Sequence, residues 1–174
     1  GGSVTRVKVG DRVCPIFHQN WLQQGPMPST AYAVGNTKGI PGTLCEEMLL
    51  SEENVVMVPE HLTDAEAATL PCAGVTAWSG IVTEGRMKAG ETVLVEGTGG
   101  VSIFGLQFAK ALGGRVICTS SSNEKLEKAK GLGADQVINY KETPEWGKAA
   151  KKMGGADHVI DIGGGGTLKE ALAS

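Results

Sequence analysis

No stretch of this 174-residue chain approaches the run of about 18 apolar residues that a membrane span requires, so no membrane role is expected. The opening Gly1-Gly-Ser-Val-Thr-Arg6 has no apolar core of a secretion signal. A cytoplasmic location is the expectation, with an address ahead of Gly1 left open. Cysteine is sparse: Cys14, Cys45, Cys72 and Cys118 lie far apart with no C-x-x-C pair, which argues against a disulfide framework or a four-cysteine zinc knot and for free thiols. Sixteen basic residues against 19 acidic ones leave a net charge of −3, too little positive charge to suggest a nucleic-acid partner. What the chain does have is glycine, 26 of them, in a sequence that is 41% hydrophobic and 20% charged. It reads as a soluble globular chain with one sizeable core or two smaller ones.

The glycines are most informative in Thr92-Val-Leu-Val-Glu-Gly97-Thr98-Gly99-Gly100-Val101-Ser102, which runs on into the apolar Ile103–Leu112. A short β-branched run, a glycine cluster and about three proline-free turns predict a strand, a tight turn and a buried helix. That combination cradles phosphate. Gly97 permits the turn, Gly99 lets a pyrophosphate approach the backbone, and a helix starting near Val101 aims free N–H groups and its positive dipole end at the anion. Ser102 fills the third position of the G-x-G-x-x-G pattern, and its small side chain still allows the helix to pack closely. A dinucleotide is the expected ligand.

Arg115–Thr119 is then a second strand, at the distance where a βαβ unit returns to its sheet. An NAD site places an Asp or Glu at the end of this strand for the ribose 2′-hydroxyl, whereas here the chain reads Ser120-Ser121-Ser122-Asn123-Glu124-Lys125. With no acid to repel a 2′-phosphate, and with serine hydroxyls and Lys125 to receive it, NADP(H) is preferred over NAD(H). The same residues also make helix-start chemistry, since Ser121-x-x-Glu124 is a capping box and Glu124 with Lys128 is an i,i+4 pair. Both roles can hold together.

Taken in order, residues 4–58 look β-rich, with strands at Val4–Val9, Arg12–Phe17, Glu47–Leu50 and Val55–Val58. Between them Asn20–Gly42 is a long polar stretch, where Asn20, Trp21 and Tyr32 either shape a cleft or, for Trp21, pin the loop to the core. Thr63-x-x-Glu66 caps a short helix over Asp64–Thr69, Leu70-Pro71 is expected to break it, and Cys72–Val82 forms a second, apolar helix. Beyond the cradle come a helix at Lys125–Leu132, a strand at Gln136–Tyr140, a helix capped by Thr143-Pro144 that runs to Lys152, and a strand at His158–Ile162. Strands that alternate with helices predict a parallel, doubly wound sheet.

Several short motifs recur here in one order: Gly10-Asp-Arg-Val13, Leu70-Pro-Cys-Ala-Gly-Val-Thr-Ala-Trp78, Gly90-Glu-Thr-Val-Leu-Val95, Gly97-Thr-Gly-Gly-Val101, Leu132-Gly-Ala-Asp135 and Val137-Ile-Asn-Tyr140. In this the chain resembles the medium-chain dehydrogenases/reductases, and in detail their zinc-type-alcohol-dehydrogenase-like and quinone-oxidoreductase branch. The resemblance implies an α/β fold: part of a β-rich, GroES-like catalytic domain over residues 1–70, an inter-domain helix over 71–90, and the first part of a Rossmann domain over 91–174. It also implies that this is the middle of an enzyme roughly twice as long, and that the full-length protein is a homodimer. By the same resemblance Ser121, Lys125 and Tyr140 hold the 2′-phosphate and Thr76 packs beside the nicotinamide. Cys72 stands where true alcohol dehydrogenases carry a zinc-ligand cysteine, but one cysteine holds no metal, and zinc is not expected.

The reading that results is an NADPH-dependent, zinc-independent oxidoreductase that passes a hydride between nicotinamide and a small carbonyl, enone or quinone substrate. No residue stands out as the proton donor. Two alternatives stay open: a zinc-dependent alcohol dehydrogenase, and a truncated nucleotide-binding module without turnover.

Overall fold

A computed structural model describes residues 2–35 and 41–174, and the chain divides into two compact units, Gly1–Cys72 and Ala73–Ser174. In the first unit β1 (Val13–Pro15) pairs antiparallel with β4 (Val55–Met57), and β2 (His18–Gln19) pairs with β3 (Tyr32–Ala33). The expected strand at Val4–Val9 does not form. Its backbone donors turn instead to side chains: the Thr5 and Arg6 amides donate to the Glu52 carboxylate at 2.8 and 2.6 Å, and Lys8 N donates to Asp11 Oδ2 at 2.9 Å in a turn where Gly10 has φ +95°. Glu47–Leu50 is not a strand either, for no neighbouring strand pairs with it among the described residues. Alternation of apolar and polar residues is only a bid for strand; without a partner ladder the backbone takes other acceptors.

The polar stretch that follows β2 starts in a fixed form. Asn20, at φ +65°, donates from its backbone to Asn54 Oδ1 at 2.8 Å and receives Asn54 Nδ2 at 3.0 Å, while the Trp21 ring meets His18 edge-on at 5.6 Å. Trp21 therefore packs locally on its own turn, and residues 36–40 of this stretch lie outside the described ones.

Thr63 and Glu66 cap α1 (Asp64–Ala67) reciprocally, Glu66 N to Thr63 Oγ1 at 3.3 Å and Thr63 N to Glu66 Oε2 at 2.8 Å. α1 ends at its C-cap Ala68, ahead of Leu70-Pro71 as expected, but the next helical segment begins at Leu70 itself, earlier than the expected Cys72. A wide helical turn covers Leu70–Gly74, α2 follows at Val75–Trp78, and a second wide turn covers Ser79–Glu84. Pro71 is the second residue of its segment, where the N–H it lacks would have no partner in any case.

The second unit is built as its periodicity predicts. β5 (Thr92–Val95), α3 (Gly100–Ala111), β6 (Arg115–Ser120), α4 (Asn123–Gly131), β7 (Gln136–Asn139), α5 (Trp146–Lys152), β8 (His158–Ile160) and α6 (Leu168–Ala173) follow one another. The four strands are parallel in the order β7-β6-β5-β8, an α/β Rossmann-type sheet. Alternate residues divide between its faces. Val93, Val95, Val116 and Cys118 pack with Ile81, Leu106, Ala109 and Leu126 on the α3/α4 side, while Leu94, Ile117 and Ile138 meet Trp146 and Ala150 on the α5 side. Covering both faces of a parallel sheet is why its strands read as nearly continuous apolar runs. Strand order decides where a ligand can sit: the chain moves outward from β5 to β7, then returns to lay β8 on the other side of β5, which opens a crevice at the carboxyl ends of β5 and β8.

Candidate functional site

The turn after β5 is held from beneath. Gly97 sits at φ +74°, a conformation that favours glycine; its amide donates to Thr119 Oγ1 at 3.2 Å, and buried Ser102 reaches back to the Glu96 carbonyl at 2.6 Å. Gly99 is the N-cap of α3 with extended backbone (φ −78°, ψ 175°) and no side-chain cap, and a Cβ placed on it would meet nothing within 4 Å. The first amides of a twelve-residue helix thus have no hydrogen-bond partner among the described residues. Gly100 has less room, since a Cβ there would come within 3.3 Å of Ala73 Cβ. Thr98 and Val101 are half-buried in the same turn, and Gly105 lets α3 approach the sheet, because a Cβ there would fall 2.4 Å from Ile160 Cδ1. Residues arranged this way could hold an anion such as a pyrophosphate.

The ends of β6 and β7 meet beside it, where the Tyr140 amide donates to the Ser120 carbonyl at 3.1 Å. Ser120 itself is buried, 3% exposed, and its hydroxyl accepts from Ser122 N at 3.4 Å; Ser121 is half-buried, and Tyr140 and Lys125 face outward. The capping box expected at Ser121 is displaced by one residue. α4 begins at Asn123, so Ser122 has the extended backbone of an N-cap and accepts from Lys125 N at 3.4 Å. That frees the Ser121 hydroxyl from cap duty. Glu124 pairs with Lys128 at 2.7 Å as expected, and Lys130 pairs with Glu127, while Lys125 makes no ion pair among the described residues. The edge of the sheet that would face an adenine ribose therefore carries a hydroxyl, an ammonium without an ion pair among those residues, the first turn of a helix and no carboxylate at the strand end.

Thr76 lies exposed on α2, which packs against α3. Cys72 is exposed and unpaired, and among the described residues no three His, Cys, Asp or Glu side chains converge as a metal set. Cys118 is different in kind, since burial pushes its thiol up to about 11, and it packs in the sheet as a small apolar residue.

Reading the sequence alone missed an acid pair at the crevice. Glu96, the residue after β5, is 4% exposed, and among the described residues neither carboxylate oxygen has a hydrogen-bond partner. Across from it, after β8, Asp161 Oδ1 accepts from Gly163 N and Gly164 N, both at 2.8 Å, and lies 2.9 Å from Thr167 Oγ1. Burial, and then the Asp161 charge, push the Glu96 carboxyl above the ordinary carboxylate range, with Thr167 and the Gly163 amide opposing only in part. Asp161 moves the other way, held down by the Gly164 amide first and the Thr167 hydroxyl next. The signal for this pair was the strand register, Val95 beside Ile160, and no periodicity reveals which strands are neighbours.

Comparison with known proteins adds relatives to this geometry. Residues 100–174 match the zinc-binding dehydrogenase family. A zinc-type alcohol dehydrogenase-like protein of Schizosaccharomyces pombe is 46% identical over 99% of this chain and 51% of its own length. Among solved structures, an NAD-dependent alcohol dehydrogenase is 32% identical over 94% of this chain and 50% of that one, with a TM-score of 0.84. The quinone oxidoreductase of Thermus thermophilus, solved also with NADPH, is 31% identical over 76% of this chain and 44% of its own, with a TM-score of 0.66. The chain spans about half the length of the curated relatives it matches.

Proposed function

Because this chain belongs to the medium-chain dehydrogenase/reductase superfamily, we propose that the whole protein is an oxidoreductase that passes a hydride between NADP(H) and a small carbonyl, enone or quinone, without catalytic zinc. The observation that carries the cofactor choice is the end of β6: Ser121 and an ammonium at Lys125 without an ion pair among the described residues, where an NAD site keeps an acid. The dinucleotide, when bound, supplies the hydride chemistry itself. The chain supplies position. Gly97, Thr98, Gly99, Gly100 and Val101 would hold the pyrophosphate on the first turn of α3, and Ser121, Lys125 and Tyr140 would receive the 2′-phosphate, with Ser120 shaping the turn beneath them. Thr76 would line the nicotinamide end. The complete protein would be a homodimer whose further segments enclose the reacting carbon and keep water from it.

Lys125→Ala should weaken NADPH by about 1–3 kcal/mol and leave NADH nearly unchanged, because an ammonium without an ion-pair partner recognises only the cofactor that carries the extra phosphate. Fluorescence titration with each nucleotide measures this. Equal losses for both would remove Lys125 from the 2′-phosphate site.

The alternative is a zinc-dependent alcohol dehydrogenase, favoured by the exposed Cys72 and by the name of the S. pombe relative. A lone cysteine needs further ligands to hold a metal. Elemental analysis of the purified full-length protein should find well under one zinc per chain. A stoichiometric zinc whose chelation abolishes turnover would establish the alternative.

A further inference from the structure

We propose that Glu96 is carried as the neutral acid and shares its proton with Asp161, so that the Gly163–Thr167 turn at the mouth of the sheet is a latch held shut by one proton. Three observations carry this. The two residues extend adjacent parallel strands by one position, Val95 beside Ile160, so both side chains leave the same face of the sheet at the same height. Glu96 is buried with neither oxygen hydrogen-bonded among the described residues, a state unfavourable for a carboxylate but suited to a carboxylic acid, which has an O–H to donate. Asp161 is the acceptor in reach. It also gathers the turn, since one of its oxygens takes the amides of Gly163 and Gly164 and lies beside the Thr167 hydroxyl.

The groups that face Glu96 leave few rivals for its proton. Among the described residues Asp161 is the charged group that acts on it, and the turn offers the Thr167 hydroxyl and the Gly163 amide, neither of them charged. A cation from Lys or Arg would have let Glu96 ionise in place. With none acting on it among the described residues, ionisation sets two like charges side by side at the ends of adjacent strands, and the easier escape is for Asp161 to swing outward, because it is solvent-exposed and Glu96 is not. Gly163 and Gly164 then lose their shared acceptor. What remains to hold the turn is Thr167, whose N and Oγ1 donate to the Gly164 carbonyl at 3.1 and 3.2 Å and whose side chain packs on Gly163; around Gly164, Gly165 and Gly166 an added Cβ would meet nothing within 4 Å. As the pH rises, the proton leaves to solvent and the turn opens.

The sign of the stability effect follows. Glu96 is raised in the folded state, so wild-type stability is full below the ordinary carboxylate range and falls as pH climbs through that range to the folded midpoint. Asp161 is lowered, so its contribution is present above the ordinary range and is lost only as pH falls toward acid. Glu96→Gln, which keeps the donor and cannot ionise, should lack the first fall and keep the second.

The test uses the full-length protein without nucleotide, with the amide resonances of Gly163 and Gly164 and the carboxyl carbon of Glu96 followed by NMR across a pH titration. The expected result is one shared midpoint, above the ordinary carboxylate range, at which both amides move; in Glu96→Gln the amides stay still through that range. Asp161→Asn should shift the Glu96 midpoint down, and it keeps the test decisive if the glutamine variant does not fold. A Glu96 carboxyl that titrates at the ordinary value, amides that move at the same pH in Glu96→Gln, or a midpoint unmoved by Asp161→Asn would each overturn the latch. The outcome does not depend on the cofactor: failure of NADPH to bind would count against the proposed function and leave this titration unaffected.

Discussion

Gly99→Asp should all but abolish nucleotide binding while leaving the fold at least as stable. Gly99 is an N-cap without a side-chain hydrogen bond, and aspartate is among the best residues for that position, so the helix itself should gain from the change. The added Cβ has open space around it, which removes a steric objection. The same carboxylate would stand in the turn proposed to hold the pyrophosphate. At about 4 Å and an effective dielectric near 20, two like unit charges repel by roughly 4 kcal/mol, or between two and three orders of magnitude in affinity. Titration calorimetry with NADPH, beside urea unfolding of the same variant, separates the two effects. Unchanged affinity would place the pyrophosphate elsewhere; a large loss of stability would mean the turn is strained in a way its geometry does not reveal.

Leu106→Ala should have the largest effect on stability, about 2–5 kcal/mol. Leu106 is 0% exposed and packs from α3 among Val93, Val95 and Val116, so truncation leaves a cavity between helix and sheet that close neighbours cannot fill without moving strands. It lies two turns into the helix whose first turn forms the cradle. Loss of packing should therefore loosen the cradle as well, and NADPH should restore part of the lost stability by binding the folded form. Urea unfolding followed by far-UV circular dichroism, with and without nucleotide, reads both. A loss under about 1 kcal/mol would show that the α3 seam closes up around the missing atoms and is not tightly packed.

The amino-acid pattern was sufficient for the second unit and not for the first. From Thr92 onward the central strands β5 and β6 are short β-branched runs buried almost throughout, and the helices have proline-free bodies, so local preference and tertiary burial agree. Boundaries shifted by a residue or two, as at Ser122, because a cap depends on which serine takes extended backbone angles, and neighbouring serines look alike in sequence. In the first unit Val4–Val9 had the alternation of a strand, yet Glu52 drew off its backbone donors, and the helical segment after α1 opened at Leu70 with Pro71 inside its first turn. Both outcomes depend on groups distant in sequence or on a proline's exact place within a turn.

By itself, then, the sequence determined the glycine turn between β5 and α3, the absence of an acid at the end of β6 and the parallel character of the sheet, since each rests on residues close together in the chain. Only the tertiary structure decided that β8 returns beside β5, and with it the crevice and the meeting of Glu96 with Asp161. Those two carboxyls are 65 positions apart, and their like charges would ordinarily be read as solvated surface. Burial of one beside the other is a property of strand order, which depends on how whole layers of helix and sheet cover each other and not on any local preference.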